Sequence, residues 1–113
     1  MTKKSIEEVK FEEAEKLADE LHAIAMFNEN ITCLVNVSYN EEESVNSTTF
    51  VAGKKNALLA MYEEITEHLV YELMKGHDCM SNVVSILEAG KDGTMAGFNK
   101  FTKEAKGQTN ENN

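Results

Sequence analysis

The spacing of the hydrophobic residues changes along the chain, and this change restricts the fold more than any other feature of the sequence. Hydrophobic side chains recur at intervals of three to five over residues 6–24, which is typical of an amphipathic helix. Residues 31–39 alternate between apolar and polar side chains, and residues 47–52 are rich in β-branched residues, so both segments are predicted strands. Residues 54–75 return to a helical spacing. This order predicts an α+β domain in which helices cover a two-stranded antiparallel hairpin.

Local signals predict where the first two helices begin and end. Ser5 and Glu8 have the spacing of a capping box, so the first helix is predicted to begin near residue 5. Residues 28–30, which are Asn-Glu-Asn, are expected to end it. Gly76 is expected to end the second helix, and the broad apolar surface of that helix predicts burial on two sides.

A third helix is predicted after Gly76, with Asp78 as its N-cap and Gly90 as its end. The residues of this helix expected to face inward are Val83, Val84, Ile86 and Leu87. Beyond Gly90 the composition shifts to Gly, Lys, Asn and Thr. We therefore expect one domain over residues 1–90 and a flexible tail over residues 91–113. In this tail, a short helical turn would carry Met95, Phe98 and Phe101.

The length and composition of the chain suit a single folded domain. It has 113 residues, of which 42% are hydrophobic, and this is enough for one core. No apolar run is long enough to span a bilayer, and the N-terminal segment lacks the apolar core of a signal peptide. We therefore expect a cytoplasmic protein without membrane contact, in which Cys33 and Cys79 are free buried thiols.

The negative charge of the chain is concentrated near its N-terminus. Residues 1–46 carry eleven acidic residues against four lysines, which gives −7 of the total net charge of −9. All eleven basic residues are Lys, so the chain lacks the planar guanidinium fork that grips phosphate in a bidentate manner. Such a field repels nucleic acid and attracts a basic protein surface, and we expect no direct contact with nucleic acid.

Ten acidic residues of the predicted first helix and hairpin loop are the candidate partner-binding residues. They are Glu7, Glu8, Glu12, Glu13, Glu15, Asp19, Glu20, Glu41, Glu42 and Glu43. The plain interpretation is a solvated surface, because amphipathic helices commonly carry their charges outward. The functional interpretation is that the same carboxylates bind Lys and Arg side chains of a partner.

The sequence carries no recognised catalytic or nucleotide-binding motif, so we predict a protein that is not an enzyme. A structural zinc site is the one cofactor hypothesis. His77, Asp78 and Cys79 are consecutive, and His68 lies four residues after Glu64 on one side of a predicted helix. The competing interpretation is that Asp78 caps a helix and Cys79 is buried.

The chain resembles the small acidic anti-CRISPR proteins encoded by phages of low-GC bacteria. It is acidic, has Lys without Arg, contains no Pro, and orders its elements as helix, hairpin and helices. The resemblance covers residues 1–90 and consists of composition and element order. It implies a non-enzymatic inhibitor, acting in the cytoplasm of an infected bacterial host, that binds a CRISPR effector nuclease such as Cas9. The inhibitor would block the basic channel that loads guide RNA or target DNA.

Two other classes of function remain open at this point. One is a sponge for a signalling nucleotide, in which Lys54, Lys55 and the tail lysines would supply cationic donors. The other is a structural or regulatory homo-oligomeric adaptor that uses the apolar second helix together with Phe98 and Phe101. The broad apolar surface of that helix favours a homodimer over a tightly packed monomer.

Overall fold

The structure is a computed structural model that describes residues 4–111, including the side chains of residues 4–107. Its elements are, in order, α1 (Ile6–Met26), β1 (Cys33–Asn40), β2 (Val45–Ala52), α2 (Lys55–Gly76) and α3 (Met80–Glu111). The predicted α+β class and the order helix, two antiparallel strands, helix and helix are confirmed.

Helix α1 begins where the capping signal predicts. Ser5 is its N-cap, and the Ser5 Oγ accepts a hydrogen bond from the backbone N–H of Glu8 at 3.1 Å. The first turn also carries Glu7, whose charge favours the positive end of the helix dipole. The helix ends at Met26, slightly before the predicted residues 28–30, and the Asn28 side-chain amide donates to the Ile24 carbonyl at 2.7 Å.

The hairpin pairs β1 with β2 in a register that runs from Cys33 opposite Ala52 to Asn40 opposite Val45. Its connection is longer than a two-residue turn, as predicted, and is closed by a hydrogen bond from the Glu41 backbone N–H to the Ser44 carbonyl at 2.8 Å. Residues that are opposite each other share a face of the sheet, and α1 covers one of the two faces.

Two stacked ring pairs join α1 to the hairpin. The rings of Phe11 and Tyr39 have centroids 5.6 Å apart, and those of His22 and Phe50 have centroids 4.7 Å apart. One pair lies near each end of the covered face, so the two contacts fix the direction of α1 across the strands.

The buried core between α1 and the hairpin consists of small side chains. The buried apolar residues within the described part of the chain are Ala18, Ala25, Cys33 and Ala52. The spacing of Leu17, Leu21 and Ile24 predicts that they form the buried side of the helix. These three residues are instead about half exposed. Small side chains let the helix backbone approach the strands closely. Leu21 and Ile24 border an open groove that they share with residues 31–35 and Met61.

A tight connection at Gly53 joins the hairpin to α2. Gly53 has φ 141°, a conformation that residues with a Cβ rarely adopt. A Cβ at this position would also lie 2.5 Å from the Cγ2 of Thr32. Both the backbone conformation and the close approach of Thr32 therefore require glycine.

The structure corrects two predictions about α2 and α3. No residue of Lys55–Gly76 is buried, so the prediction that this helix is buried on two sides is wrong for the single chain. Val84 and Leu87, predicted to face inward, are exposed, and only Val83 and Ile86 are partly covered.

The ends of α3 also differ from the prediction. The helix begins at Met80, so Cys79 rather than Asp78 immediately precedes it. Gly90 does not end it, because α3 continues to Glu111. A glycine inside a helix costs only about 1 kcal/mol relative to alanine, which does not by itself terminate a helix.

The chain divides into two compact units, Met1–Glu64 and Ile65–Asn113. The first unit holds α1, the hairpin and the beginning of α2, and the second holds the rest of α2 and α3. The predicted boundary at residue 90 falls inside α3, and residues 91–111 continue that helix; residues 112–113 lie outside the described part. That residues 91–113 are flexible remains a prediction. None of the described helices has the length and apolar character needed to cross a membrane.

Candidate functional site

Four carboxylates lie along one side of α1. Glu8, Glu12, Glu15 and Asp19 are spaced by four, three and four residues. With 3.6 residues per turn, this spacing places the four side chains within about 60° of one another around the helix axis. We call these four residues the acidic stripe.

The acidic stripe borders a groove between α1 and the loop end of the hairpin. The groove has a volume of about 370 Å³ and is polar. Its lining residues are Glu8, Phe11, Glu12, Glu15, Tyr39, Glu41, Asn46 and Ser47. Three carboxylates of the stripe therefore share one space with Glu41 of the hairpin loop. We call this feature the acidic groove.

The structure positions Glu15 within the groove by a hydrogen bond from β2. The Thr48 Oγ1 donates to the Glu15 Oε2 at 2.7 Å, in a partly buried environment. The stacking of Phe11 on Tyr39 forms the apolar wall beside it. The strand and the helix are thus held together at the place where the carboxylates converge.

Lysines of the chain balance some of the acidic charge. Lys4 forms an ion pair with Glu12, and this hydrogen bond raises the pKa of Lys4. Lys10 forms an ion pair with Glu13 at 3.1 Å. Both pairs are exposed and therefore contribute little stability. Within the described residues, no lysine bridges Glu8, Glu15 or Asp19.

The other predicted partner-binding residues lie outside the acidic stripe. Glu7 lines a separate groove of about 390 Å³ on the other side of Phe11, together with Lys10. Glu13 and Glu20 lie roughly 120–140° around the helix from Glu8. The remaining two, Glu42 and Glu43, are exposed in the hairpin connection. The structure thus brings together Glu8, Glu12, Glu15 and Glu41 and places Asp19 on the same side of α1.

The side of α1 opposite the acidic stripe is apolar. Leu17, Leu21 and Ile24 lie roughly 160–220° around the helix from Glu8 and are about half exposed. Helix α1 therefore has three different sides: one that packs on the hairpin, one that is acidic, and one that is apolar and open.

The structure does not assemble the zinc ligands that the sequence suggests. Within the described residues, no group of three or more His, Cys, Asp or Glu side chains is placed to hold a metal ion. His68 lies in α2 beside Glu67 and Tyr71. His77, Asp78 and Cys79 form the connection between α2 and α3 and do not meet His68 in a common site.

The two cysteines differ in environment, and both are free thiols. Cys33 is buried, as expected, but Cys79 is only partly buried. The Ser81 Oγ donates to the Cys79 Sγ at 3.1 Å. This hydrogen bond, together with one from the Ser81 backbone, lowers the pKa of the Cys79 thiol because it stabilises the thiolate.

Comparison with known proteins gives no match among protein-family models, curated proteins or solved structures.

Proposed function

We propose that this protein is a non-enzymatic binding protein of the anti-CRISPR type, which uses its acidic stripe and acidic groove to bind a basic surface of a nucleic-acid-handling effector such as Cas9. The observation that carries this proposal is the convergence of Glu8, Glu12, Glu15 and Glu41 on one groove. An acidic surface that served only for solubility would not need charges from two elements to share one space.

The charge of the groove suits this role. Carboxylates that line one groove repel one another, and a partner that places Lys or Arg between them relieves this repulsion. The net charge of −9 also accelerates encounter with a basic surface over distances of about a Debye length. Both effects favour a cationic protein over a nucleic acid as the partner.

The proposed mechanism is occlusion of a basic channel. Effectors of the Cas9 type hold a guide–target heteroduplex in a positively charged channel, which they recognise mainly through its backbone. A bound acidic protein neutralises those cations and excludes the phosphates that need them. Inhibition then requires neither a catalytic group nor a cofactor.

The test compares two triple variants with the same change in charge. The stripe variant carries Glu8→Gln, Glu12→Gln and Asp19→Asn, and it removes the Lys4–Glu12 ion pair. The off-stripe control carries Glu7→Gln, Glu13→Gln and Glu20→Gln, and it removes the Lys10–Glu13 ion pair. Glu15 is left unchanged because its hydrogen bond to Thr48 joins α1 to the hairpin.

The tagged chain is used to capture partners from a nuclease-treated bacterial lysate over a series of salt concentrations. The captured effector is then purified, and its affinity for each variant and its nuclease activity are measured. We expect the stripe variant to lose affinity by about tenfold or more, because it removes three charges and each solvent-exposed charge pair is worth up to roughly 1 kcal/mol. The off-stripe control should bind like the wild type. Equal loss in both variants, or binding that is insensitive to salt, would contradict the proposal.

A further inference from the structure

The second unit of the chain exposes a row of large apolar side chains. Along α3 they fall on one side of the helix, within an arc of about 120° around the helix axis. Further exposed apolar side chains lie on one side of the C-terminal half of α2. The members of this row, which we call the apolar helix face, are Ile65, Leu69, Leu73, Met80, Val84, Leu87, Met95, Phe98 and Phe101. Leu87, Phe98 and Phe101 are 69%, 63% and 70% exposed.

Helix α3 needs a packing partner to be stable. It is 32 residues long and contains Gly90, Gly93, Gly97 and Gly107, each of which disfavours a helix relative to alanine. Most of the stability of a helix comes from the burial of an apolar side rather than from intrinsic propensity. An uncovered α3 would therefore unfold over much of its length.

Within the second unit, α2 does not supply this cover. The described contacts between the two helices are at their connection, where the Asn82 side-chain amide donates to the carbonyls of Leu73 at 3.3 Å and His77 at 2.6 Å. Beyond the connection, the described residues of α2 and α3 do not pack closely side by side. The remaining length of α3 thus presents its apolar side to solvent.

The area of the apolar helix face matches what a stable dimer buries. The nine side chains, which are between 42% and 70% exposed, offer roughly 900 Å² per chain if a large apolar side chain has about 180 Å². Two copies would bury about 1,800 Å² in total, within the range of about 1,200–2,000 Å² found for specific interfaces.

The distribution of charge favours a second copy of this chain on that face. The first unit carries 13 acidic residues and six lysines, a balance of −7, whereas the second unit carries seven acidic residues and five lysines, a balance of −2. Two copies therefore repel each other strongly through their first units and only weakly through their second units. We propose that the protein is a homodimer in which the apolar helix face of each chain packs against that of the other.

The pairing surface and the acidic groove lie in different units, so the proposed dimer carries two acidic grooves. The proposed dimer extends the proposed function, and it does not depend on that function. Two grooves on one particle would let it engage two basic surfaces at once.

The first measurement is sedimentation equilibrium of the full chain over a wide range of concentrations. We expect twice the chain mass of 12.6 kDa at high concentration. Hydrogen exchange is followed in parallel, and the protection of α3 amides should fall as dilution dissociates the dimer.

Two adjacent substitutions provide the matched test. Phe98→Asp places a charge in the apolar helix face, whereas Asn99→Asp places the same charge on the neighbouring, polar side of α3. Phe98→Asp should give the mass of a single chain, and Asn99→Asp should give the wild-type mass. A third variant, Leu87→Ala, removes apolar contact while keeping a strong helix former. Leu87→Ala should raise the dissociation constant of the dimer about a hundredfold. The dimer carries the substitution twice, and the loss of apolar contact at each copy accounts for about tenfold.

Three results would overturn the proposal. One is a wild-type chain that sediments as a 12.6 kDa monomer at every concentration, with α3 protected, since the face would then be covered within the chain. The second is an oligomer whose mass is the same in the wild type, Phe98→Asp and Leu87→Ala, because its interface would lie elsewhere. The third is a chain that sediments as a monomer alone but associates through this face with a protein of another sequence.

Discussion

A hydrogen bond from Ser81 distinguishes Cys79 from an ordinary thiol. Because the bond stabilises the thiolate and lowers the pKa, Cys79 should ionise at a lower pH than an ordinary cysteine. We expect iodoacetamide to modify Cys79 in the native protein, with a pH profile of the rate displaced toward lower pH, and to spare the buried Cys33.

The control for this prediction is Ser81→Ala, which removes the hydroxyl donor and should return the pH profile toward that of an ordinary thiol. Peptide mapping by mass spectrometry assigns the modified residue. An unchanged profile in Ser81→Ala would show that the hydroxyl does not set the reactivity of Cys79.

A second prediction at the residue scale compares the same substitution at two glycines. Gly53→Ala should destabilise the protein by about 1–3 kcal/mol, because the positive φ is strained for alanine and Thr32 crowds the new Cβ. Gly93→Ala should stabilise it by about 1 kcal/mol, because no atom lies within 4 Å of the new Cβ in α3. Denaturant unfolding measures both changes, and effects of equal sign would contradict this account.

At the scale of elements, the contact between α1 and the hairpin depends on small side chains. Ala18 is 2% exposed, and a larger side chain there would push the helix away from the strands. We expect Ala18→Leu to reduce the free energy of unfolding by about 1–3 kcal/mol. The same substitution at Ala23, which is exposed on α1, should change it by less than about 0.5 kcal/mol. Thermal unfolding followed by circular dichroism provides the comparison.

The elements themselves could be predicted from the sequence, but their orientation and environment could not. The spacing of residues 6–24, the alternation of residues 31–39 and the Ser5–Glu8 pair are local signals, and the structure agrees with them. The orientation of α1 was not predictable in this way, because a stripe of leucines marks an apolar side without indicating which partner it contacts. The continuation of α3 through Gly90 is not predictable from local sequence, because the same residue type occurs both at helix ends and, at modest cost, inside helices.

The candidate site was predictable only in part. The spacing of Glu8, Glu12, Glu15 and Asp19 is visible in the sequence and could have separated the acidic stripe from the other carboxylates. That Glu41 joins this group depends on the register of the hairpin and on the placement of α1 across it, which no local pattern encodes.

At the scale of the whole molecule, the proposed dimer and the proposed partner complex should respond to salt in opposite directions. Two chains of net charge −9 repel each other, so screening should strengthen the dimer. The attraction between the acidic groove and a basic partner should instead weaken as salt is added, because salt screens opposite charges as well. Raising the salt concentration from about 0.01 M to 0.1 M shortens the Debye length from about 30 Å to 10 Å, which makes both changes measurable by sedimentation and by binding assays.

The stripe variant is the control for this prediction. It lowers the magnitude of the net charge by three, so its self-association should depend less on salt than that of the wild type. Self-association that weakens as salt is added would mean that ion pairs, rather than apolar contacts, hold the chains together.

The tight seating of α1 on the hairpin also bears on how this sequence can diverge during evolution. Larger side chains are not expected to fit at the four buried positions, which are Ala18, Ala25, Cys33 and Ala52. Surface carboxylates, by contrast, can be replaced by other residues at little cost to folding. Distant descendants of this chain should therefore keep residues of methyl or thiol size at these four positions after their acidic pattern has changed. Those four positions are the signature with which to look for its relatives.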